Sequence, residues 1–356
     1  MNKIRVGIIG AGNISVMHTE GYKKLENVDI VAVCDLNEDK AKAYAKKYAI
    51  PHVFTDYKKM LQMKELDAVS VTTWNDGHAP ISIAAMKAGK DVLCEKPLAM
   101  NAKDAQVMVD TAKETGQLLM VGFVRRFENN VKFIKEAIEN DELGNIYYAK
   151  TGYVRKWGNP GGWFCDKKRS GGGPVIDLGV HVIDLIRYLT GKPEAVSVTA
   201  STFKQLGIKP YIKGMSKYNA VDYDPKKPYC DVEDAATALI KFDNGMTLNF
   251  ETSWVLHTKD DNNYLMFYGD KAGVKMEPEI EFYKEHNQYF INQTPCIEQE
   301  TNKFAEIFNK ETAHFIDCVA NGVPCLNPGE DGVAIMKILD AIYQSAEVGH
   351  EVKIKE

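Results

Sequence analysis

The sequence predicts an α/β chain in two parts, a doubly wound parallel sheet over residues 1–122 and an α+β domain over 123–356 built on a mostly antiparallel sheet. Three observations carry this prediction. Short β-rich runs alternate with helical stretches through the first third of the chain, and a glycine-rich turn directly follows the first run. After about residue 123, longer alternating strands follow one apolar helix.

In chain order the strand candidates are Arg5–Ile9, Ile30–Cys34, His52–Phe54, Ala68–Thr72, Val92–Cys94 and Leu118–Gly122. Helical stretches at Asp39–Tyr48, Ala79–Ala88 and Ala102–Thr115 lie between them. Six strands at this spacing match a dinucleotide-binding (Rossmann) sheet. Further on, an apolar helix is predicted over Pro174–Leu189, opened by a proline that suits a first helical turn. Strands follow at Ala195–Thr202, Ala236–Phe242, Thr247–Trp254 and Tyr264–Tyr268, and Asp243-Asn244-Gly245 is a hairpin signal between two of them. Phe203–Asp231, rich in Lys, Tyr, Pro and Gly, reads as a long loop, either a lid or interface arm or a plain surface insertion. Thr312–Ala346 reads as helical, interrupted at Gly322–Pro328.

Composition excludes several classes. With 356 residues, 45% hydrophobic and 26% charged, the chain is long enough for two cores and is not of disordered type. Its 44 basic against 49 acidic residues give a net charge of -5, which argues against a general nucleic-acid partner. Seven cysteines, odd in number and without C-x-x-C spacing, fit reduced thiols rather than a disulfide scaffold or zinc finger. The apolar opening run from Ile4 to Gly10 is too short and glycine-broken for a signal or membrane segment, so a cytoplasmic protein is expected.

The chemistry begins at Gly10-Ala11-Gly12-Asn13-Ile14-Ser15. Two glycines after a strand allow a tight turn and close approach of a pyrophosphate, which then meets the amides at a helix start. Such a motif alone is also compatible with a simple tight turn. Asp35 ends the second strand at the distance where a carboxylate accepts hydrogen bonds from the adenosine ribose hydroxyls and repels a 2′-phosphate. NAD is therefore expected over NADP, and the competing role for Asp35 is a turn or helix cap. At the carboxyl end of the fifth strand, Cys94-Glu95-Lys96-Pro97 places Lys96 either as a partner for a developing alkoxide or as a solvated surface residue.

In the second part, Gly171-Gly172-Gly173-Pro174 leads into the apolar helix, where Asp177, His181 and Asp184 stand at i, i+4 and i+7. Ionisable groups on a buried helix need partners. One reading makes His181 a general base, with Asp177 holding a substrate hydroxyl or orienting the imidazole. A satisfied structural network and a metal site are the other readings; no second ligand cluster is evident, so no metal is expected. Asp184 is the member that best fits a structural role.

These segments, together with Asn75 and His78, Glu95-Lys96-Pro97, Gly122-Phe123, Arg125-Arg126-Phe127 and the Gly171–Leu185 block, resemble the glucose–fructose oxidoreductase / inositol dehydrogenase / rhizopine catabolism (Gfo/Idh/MocA) family over nearly the whole length. The resemblance implies a Rossmann domain, a C-terminal α+β domain with a large, open-faced sheet, and a homo-oligomer, dimer or tetramer, formed through that face. It implies that Lys96, Asp177 and His181 work together in catalysis. It also places Gly10, Gly12, Asn13, Ile14, Asp35, Asn75, His78, Glu95, Lys96 and Pro97 around the cofactor, with Glu95 and Pro97 beside the nicotinamide. Trp74-Asn75-Asp76-Gly77-His78 departs from the commoner Thr-Pro-Asn-x-x-His run, which leaves His78 either at the nicotinamide or opening the next helix. Arg126, Arg155, Trp157 and His257 are candidates for the substrate pocket, with surface or packing roles as the alternative.

The reaction expected from this set is hydride transfer between a secondary alcohol of a sugar or cyclitol and NAD. His181 would take the hydroxyl proton, Lys96 stabilise the alkoxide and Asp177 position the polyol. Two other readings are carried: a glycoside hydrolase that uses bound NAD for transient oxidation, and a non-catalytic dinucleotide sensor.

Overall fold

The computed structural model describes residues 3–209, 211–212, 219–298 and 300–354, so the predicted loop Phe203–Asp231 falls partly outside the described residues. The chain divides into two compact units, residues 1–127 with 301–336, and residues 128–300 with 337–356. The expected division at 122/123 does not include this return of residues 301–336 to the first unit.

In the first unit β1 (Ile4–Ile9), α1 (Asn13–Tyr22), β2 (Val28–Cys34), α2 (Glu38–Tyr48), β3 (His52–Phe54), α3 (Tyr57–Met60), β4 (Ala68–Val71), α4 (Asn75–Lys87), β5 (Asp91–Glu95), α5 (Ala102–Thr115) and β6 (Leu119–Gly122) alternate. The strands form one six-stranded sheet in the order β3-β2-β1-β4-β5-β6, parallel throughout. Every residue of β4 and β6 is buried, as expected where helices cover both faces of a parallel sheet and strands read as continuous apolar runs. Asn37 caps α2 and Asn101 caps α5, each side chain accepting a backbone N–H of the first turn. The helix expected at Ala79 begins four residues earlier, at Asn75, with Pro80 inside it. So near the helix start, Pro80 forfeits a single bond, that to the Asp76 carbonyl.

The second unit contains α6 (Asn129–Glu139), β7 (Ile146–Val154), α7 (Lys167–Ser170), α8 (Val180–Leu189), β8 (Ala195–Phe203), β9 (Ala235–Phe242), β10 (Thr247–Ser253), β11 (Asn262–Gly269), β12 (Ala272–Lys275), β13 (Glu281–His286) and β14 (Tyr289–Gln293). The chain then forms α9 (Lys303–Asn321), α10 (Gly329–Val348) and β15 (Val352–Lys353). A nine-stranded sheet runs β14-β13-β12-β11-β7-β10-β9-β8-β15, antiparallel except where β7 meets β10. Alternation sets its faces: Ala238, Ile240, Leu248, Phe250, Leu265 and Phe267 are buried. The opposite face carries the cross-strand row Leu239, Asn249, Lys150, Met266 and Lys275. A neighbouring row on this face includes the stacked rings of Tyr148 and Tyr268.

One helix differs from its prediction. Pro174–Leu189 is not a single α-helix: Val175–Gly179 is a π-helical turn that leads into α8. Glycines flank the turn, and the buried Glu233 carboxylate draws the amides of Gly173 and Val175 at 3.0 and 3.1 Å. Asp177 lies in the π-helical turn and His181 in α8; both stay partly accessible, while Asp184 is buried.

Candidate functional site

In the first unit the strand order reverses between β1 and β4, which opens a crevice at their carboxyl ends. Gly10 lines it with φ +97°, and a Cβ there would lie 2.6 Å from the Thr72 carbonyl oxygen. Only glycine fits this approach of β1 to β4. Gly12 is the N-cap of α1 and brings no side chain to it, so the helix begins with bare amides at Asn13 and Ile14. A Cβ on Gly12 would meet nothing nearer than 3.9 Å, so space opens in front of this turn. Buried Ser15 donates to the Gly12 carbonyl at 2.6 Å and occupies the third glycine position without obstructing the packing. The cradle fits a dinucleotide pyrophosphate, whose charge the helix amides favour.

Asp35 follows β2. Its carboxylate accepts the amides of Ala11 and Asn37, both at 2.9 Å, and lies 3.4 Å from Lys40 Nζ. The carboxylate therefore pins the glycine turn to the start of α2, a turn role that sits beside the ribose role expected of it. The neighbouring Lys40 cation weakens the argument that Asp35 alone repels a 2′-phosphate.

Glu95 ends β5 and the Lys96–Pro97 peptide is cis. Among residues 92–99 Lys96 alone escapes full burial. Buried Glu95 takes His18 Nε2 at 2.9 Å and the Lys96 amide at 3.2 Å. Asn75 is buried at the start of α4. His78 is buried in α4. Its Nδ1 lies 2.7 Å from the Pro97 carbonyl and its Nε2 3.2 Å from that of Thr73, and burial pulls its pKa below the ordinary value. A neutral ring has one N–H to donate to one of these carbonyls, and the buried imidazole packs against the Lys96–Pro97 turn.

In the second unit, only Asp177, His181 and Tyr188 escape full burial between residues 172 and 189. Gly173 permits this arrangement, because a Cβ there would lie 2.2 Å from the Glu233 carbonyl oxygen. Glu233 also accepts the Tyr343 hydroxyl at 2.8 Å, and burial raises its pKa. Trp254, fully buried, donates its indole N–H to Asp177 at 3.0 Å. Burial works against the Arg155 charge, but Asp177 and Tyr153 more than offset it and hold its pKa above the ordinary value. Asp177 thus carries a fixed orientation and a cationic neighbour. Asp184 is 1% exposed, in keeping with a structural role.

Of the other pocket candidates, Trp157 packs against the cluster of Cys165, Leu178, Val232, Trp254 and Val255, close to Asp177 in sequence and space. His257 is exposed. Arg126 has partners within its own unit. It is 3% exposed, and its Nη1 lies 2.7 Å from both Asp331 and the Leu326 carbonyl, so it braces the first unit from within. Sequence reasoning missed Glu233, Trp254 and Asp331. Each is a lone residue in an ordinary context, and only the fold brings it to its partner.

These features define a class, a dinucleotide-binding oxidoreductase fold joined to an α/β unit with a largely antiparallel sheet. The chain belongs to the Gfo/Idh/MocA family: residues 4–123 match its model described as an oxidoreductase family, NAD-binding Rossmann fold, and residues 135–354 its C-terminal alpha/beta domain. It is 33% identical to the D-glucoside 3-dehydrogenase of Escherichia coli over 99% of this chain and 97% of that one. It is 26% identical to the myo-inositol 2-dehydrogenase of Thermotoga maritima, with 99% of each covered. Its fold matches a levoglucosan dehydrogenase in complex with NADH at a TM-score of 0.87, with 23% identity and full coverage of both chains. Among the described residues no helix is long and apolar enough to cross a membrane.

Proposed function

We propose that this protein is a dehydrogenase that moves a hydride between a secondary hydroxyl of a sugar or cyclitol and a nicotinamide dinucleotide, with NAD preferred over NADP. The observation that carries the reading is the accessibility of Asp177 and His181 within an otherwise buried run. Burying such groups costs free energy unless they are partnered, so leaving these two reachable fits work on a substrate. Relatives named as glucoside, inositol and levoglucosan dehydrogenases support the substrate class.

The bound dinucleotide supplies the hydride acceptor. Gly10, Gly12, Asn13 and Ile14 would hold its pyrophosphate, Asp35 its ribose, and Asn75, Glu95, Lys96 and Pro97 would shape the nicotinamide end. His181 takes the hydroxyl proton, Lys96 stabilises the developing alkoxide, and Asp177, held by Trp254, orients the polyol with Arg155 and Trp157 beside it. The outward rows of Leu239, Met266, Tyr148 and Tyr268 support a homo-oligomer built on this sheet face. A cytoplasmic setting is part of the same proposal. The test is reduction of NAD and of NADP, followed by absorbance, against a panel of inositols, hexosides and anhydrosugars. Turnover with NAD and one polyol supports the proposal. Release of free sugar without net reduced dinucleotide would favour the hydrolase reading, and binding without turnover the sensor.

A further inference from the structure

The first unit buries two carboxyl groups against one imidazole. Glu311 lies on α9 with no exposure, and neither of its carboxyl oxygens has a hydrogen-bond partner. A Glu311 oxygen, a Glu95 oxygen and a His18 ring nitrogen lie within 4.8 Å of one another. His18 continues the chain of contacts, its Nδ1 3.2 Å from Ser70 Oγ, which in turn lies 2.7 Å from the Tyr22 hydroxyl. The titratable groups facing Glu311 from the packed elements are thus Glu95 on β5 and His18 and Tyr22 on α1. Among them the His18 ring is already bonded to Glu95.

Two carboxylates so close in a sealed place cannot both ionise. Glu95 is the one with charge-stabilising donors, the His18 ring and the Lys96 amide. Glu311 has none, and burial followed by the Glu95 charge pushes it well above the usual carboxylate range. The Glu95 carboxylate is also wedged against β6, where a Cβ on Gly122 would lie 3.3 Å from Glu95 Oε2. Its orientation sets where the chain turns at Lys96.

We propose that Glu311 is a proton-holding positioning residue, a neutral acid packed beside Glu95 that adds no second charge to the sealed pocket and so lets Glu95 keep its bonds to His18 and the Lys96 amide. The inference rests on the reading of Lys96 as a reacting group, although the protonation of Glu311 does not. Two variants of the full-length enzyme test it. In the infrared difference spectrum between wild type and Glu311→Gln at neutral pH, a protonated-carboxyl carbonyl band belonging to Glu311 is expected, and its absence overturns the proposal. Glu311→Gln mimics the neutral acid and should restore turnover lost in Glu311→Met, whose kcat should fall on the order of tenfold at unchanged KM. Wild type and Glu311→Gln should stay alike until pH rises far enough to ionise Glu311, which Gln cannot follow; divergence already at low pH overturns the proposal. Equal kcat in wild type and Glu311→Met overturns the positioning role even if the band is present. Lys96→Met is run alongside: full turnover in that variant sinks the reading of Lys96 and leaves the infrared result standing by itself.

Discussion

Replacing Arg126 by alanine should act on stability and not on substrate affinity. The guanidinium is buried with Asp331, whose side chain is 8% exposed, and sits 5.1 Å from the Phe123 ring centre. The variant strands the Asp331 carboxylate without its cation and removes the 2.7 Å donor to the Leu326 carbonyl. Breaking a buried pair from one side costs about 3–5 kcal/mol, most of it the desolvated charge left behind. For a domain of this size, each kcal/mol lowers the melting midpoint by roughly 2–4 °C, so a drop on the order of 10 °C is expected. Thermal melts followed by circular dichroism measure it, with steady-state kinetics on the folded enzyme at low temperature as the companion. An apolar double variant, Arg126→Met with Asp331→Leu, should recover most of the loss, because it leaves no uncompensated charge. An Arg126→Ala enzyme with an unchanged midpoint and a raised KM for its polyol would refute the reasoning and return Arg126 to the substrate pocket.

His181→Ala should lower kcat by about 10²–10⁴ while dinucleotide binding, measured by fluorescence titration, is retained; full turnover would end the assignment of His181 as base. Asp35→Ala should weaken NAD about tenfold and narrow the NAD-to-NADP preference, since a carboxylate acceptor for the ribose is lost; unchanged kinetics with both dinucleotides would leave Asp35 with its turn role alone. For His78, burial holds the folded-state pKa below the ordinary 6.5. The native state then binds fewer protons than the unfolded one, so its contribution to stability is present above pH 6.5 and lost as pH falls below that toward the folded-state value. Denaturant midpoints taken across that window should show a slope that His78→Phe reduces, and identical slopes would argue against it.

The first sheet was legible because its chemistry is local. Strands such as Val92–Cys94 are continuous apolar runs set off by helical stretches, and the glycine motif directly follows a strand. The second sheet was legible where alternation is clean, as in β9, but the nine-residue β7 was not predicted. β12, β13 and the exposed edge strand β14 were not predicted either. The π-helical turn escaped because its local sequence does not mark it; the bond beside it, from Gly173 to Glu233, joins residues 60 apart. The return of α9 to the first unit escaped for the same reason. The Gly21 position on α1 that meets Thr312 is an ordinary glycine until the fold is known.

Residue type named the candidate groups, but burial and partners decide which of them are available for chemistry. Arg126 and His78 have the same side-chain chemistry as a catalytic or binding arginine and histidine. Each is sealed in and has its donors directed at carbonyls or a carboxylate of its own unit. Lys96, Asp177 and His181 sit in runs that are just as apolar, yet each is the part of its run that stays accessible. The contrast has an energetic origin. A buried polar group stabilises the fold only if its bonds are made internally, and a group whose bonds are all made internally has none left for a substrate. Glu95 lies between the two kinds: it is sealed and bonded like a brace, but the amide it holds is that of Lys96. A buried network can therefore bear on the proposed reaction without touching the substrate, by holding the backbone amide of Lys96, one of the groups proposed to act there.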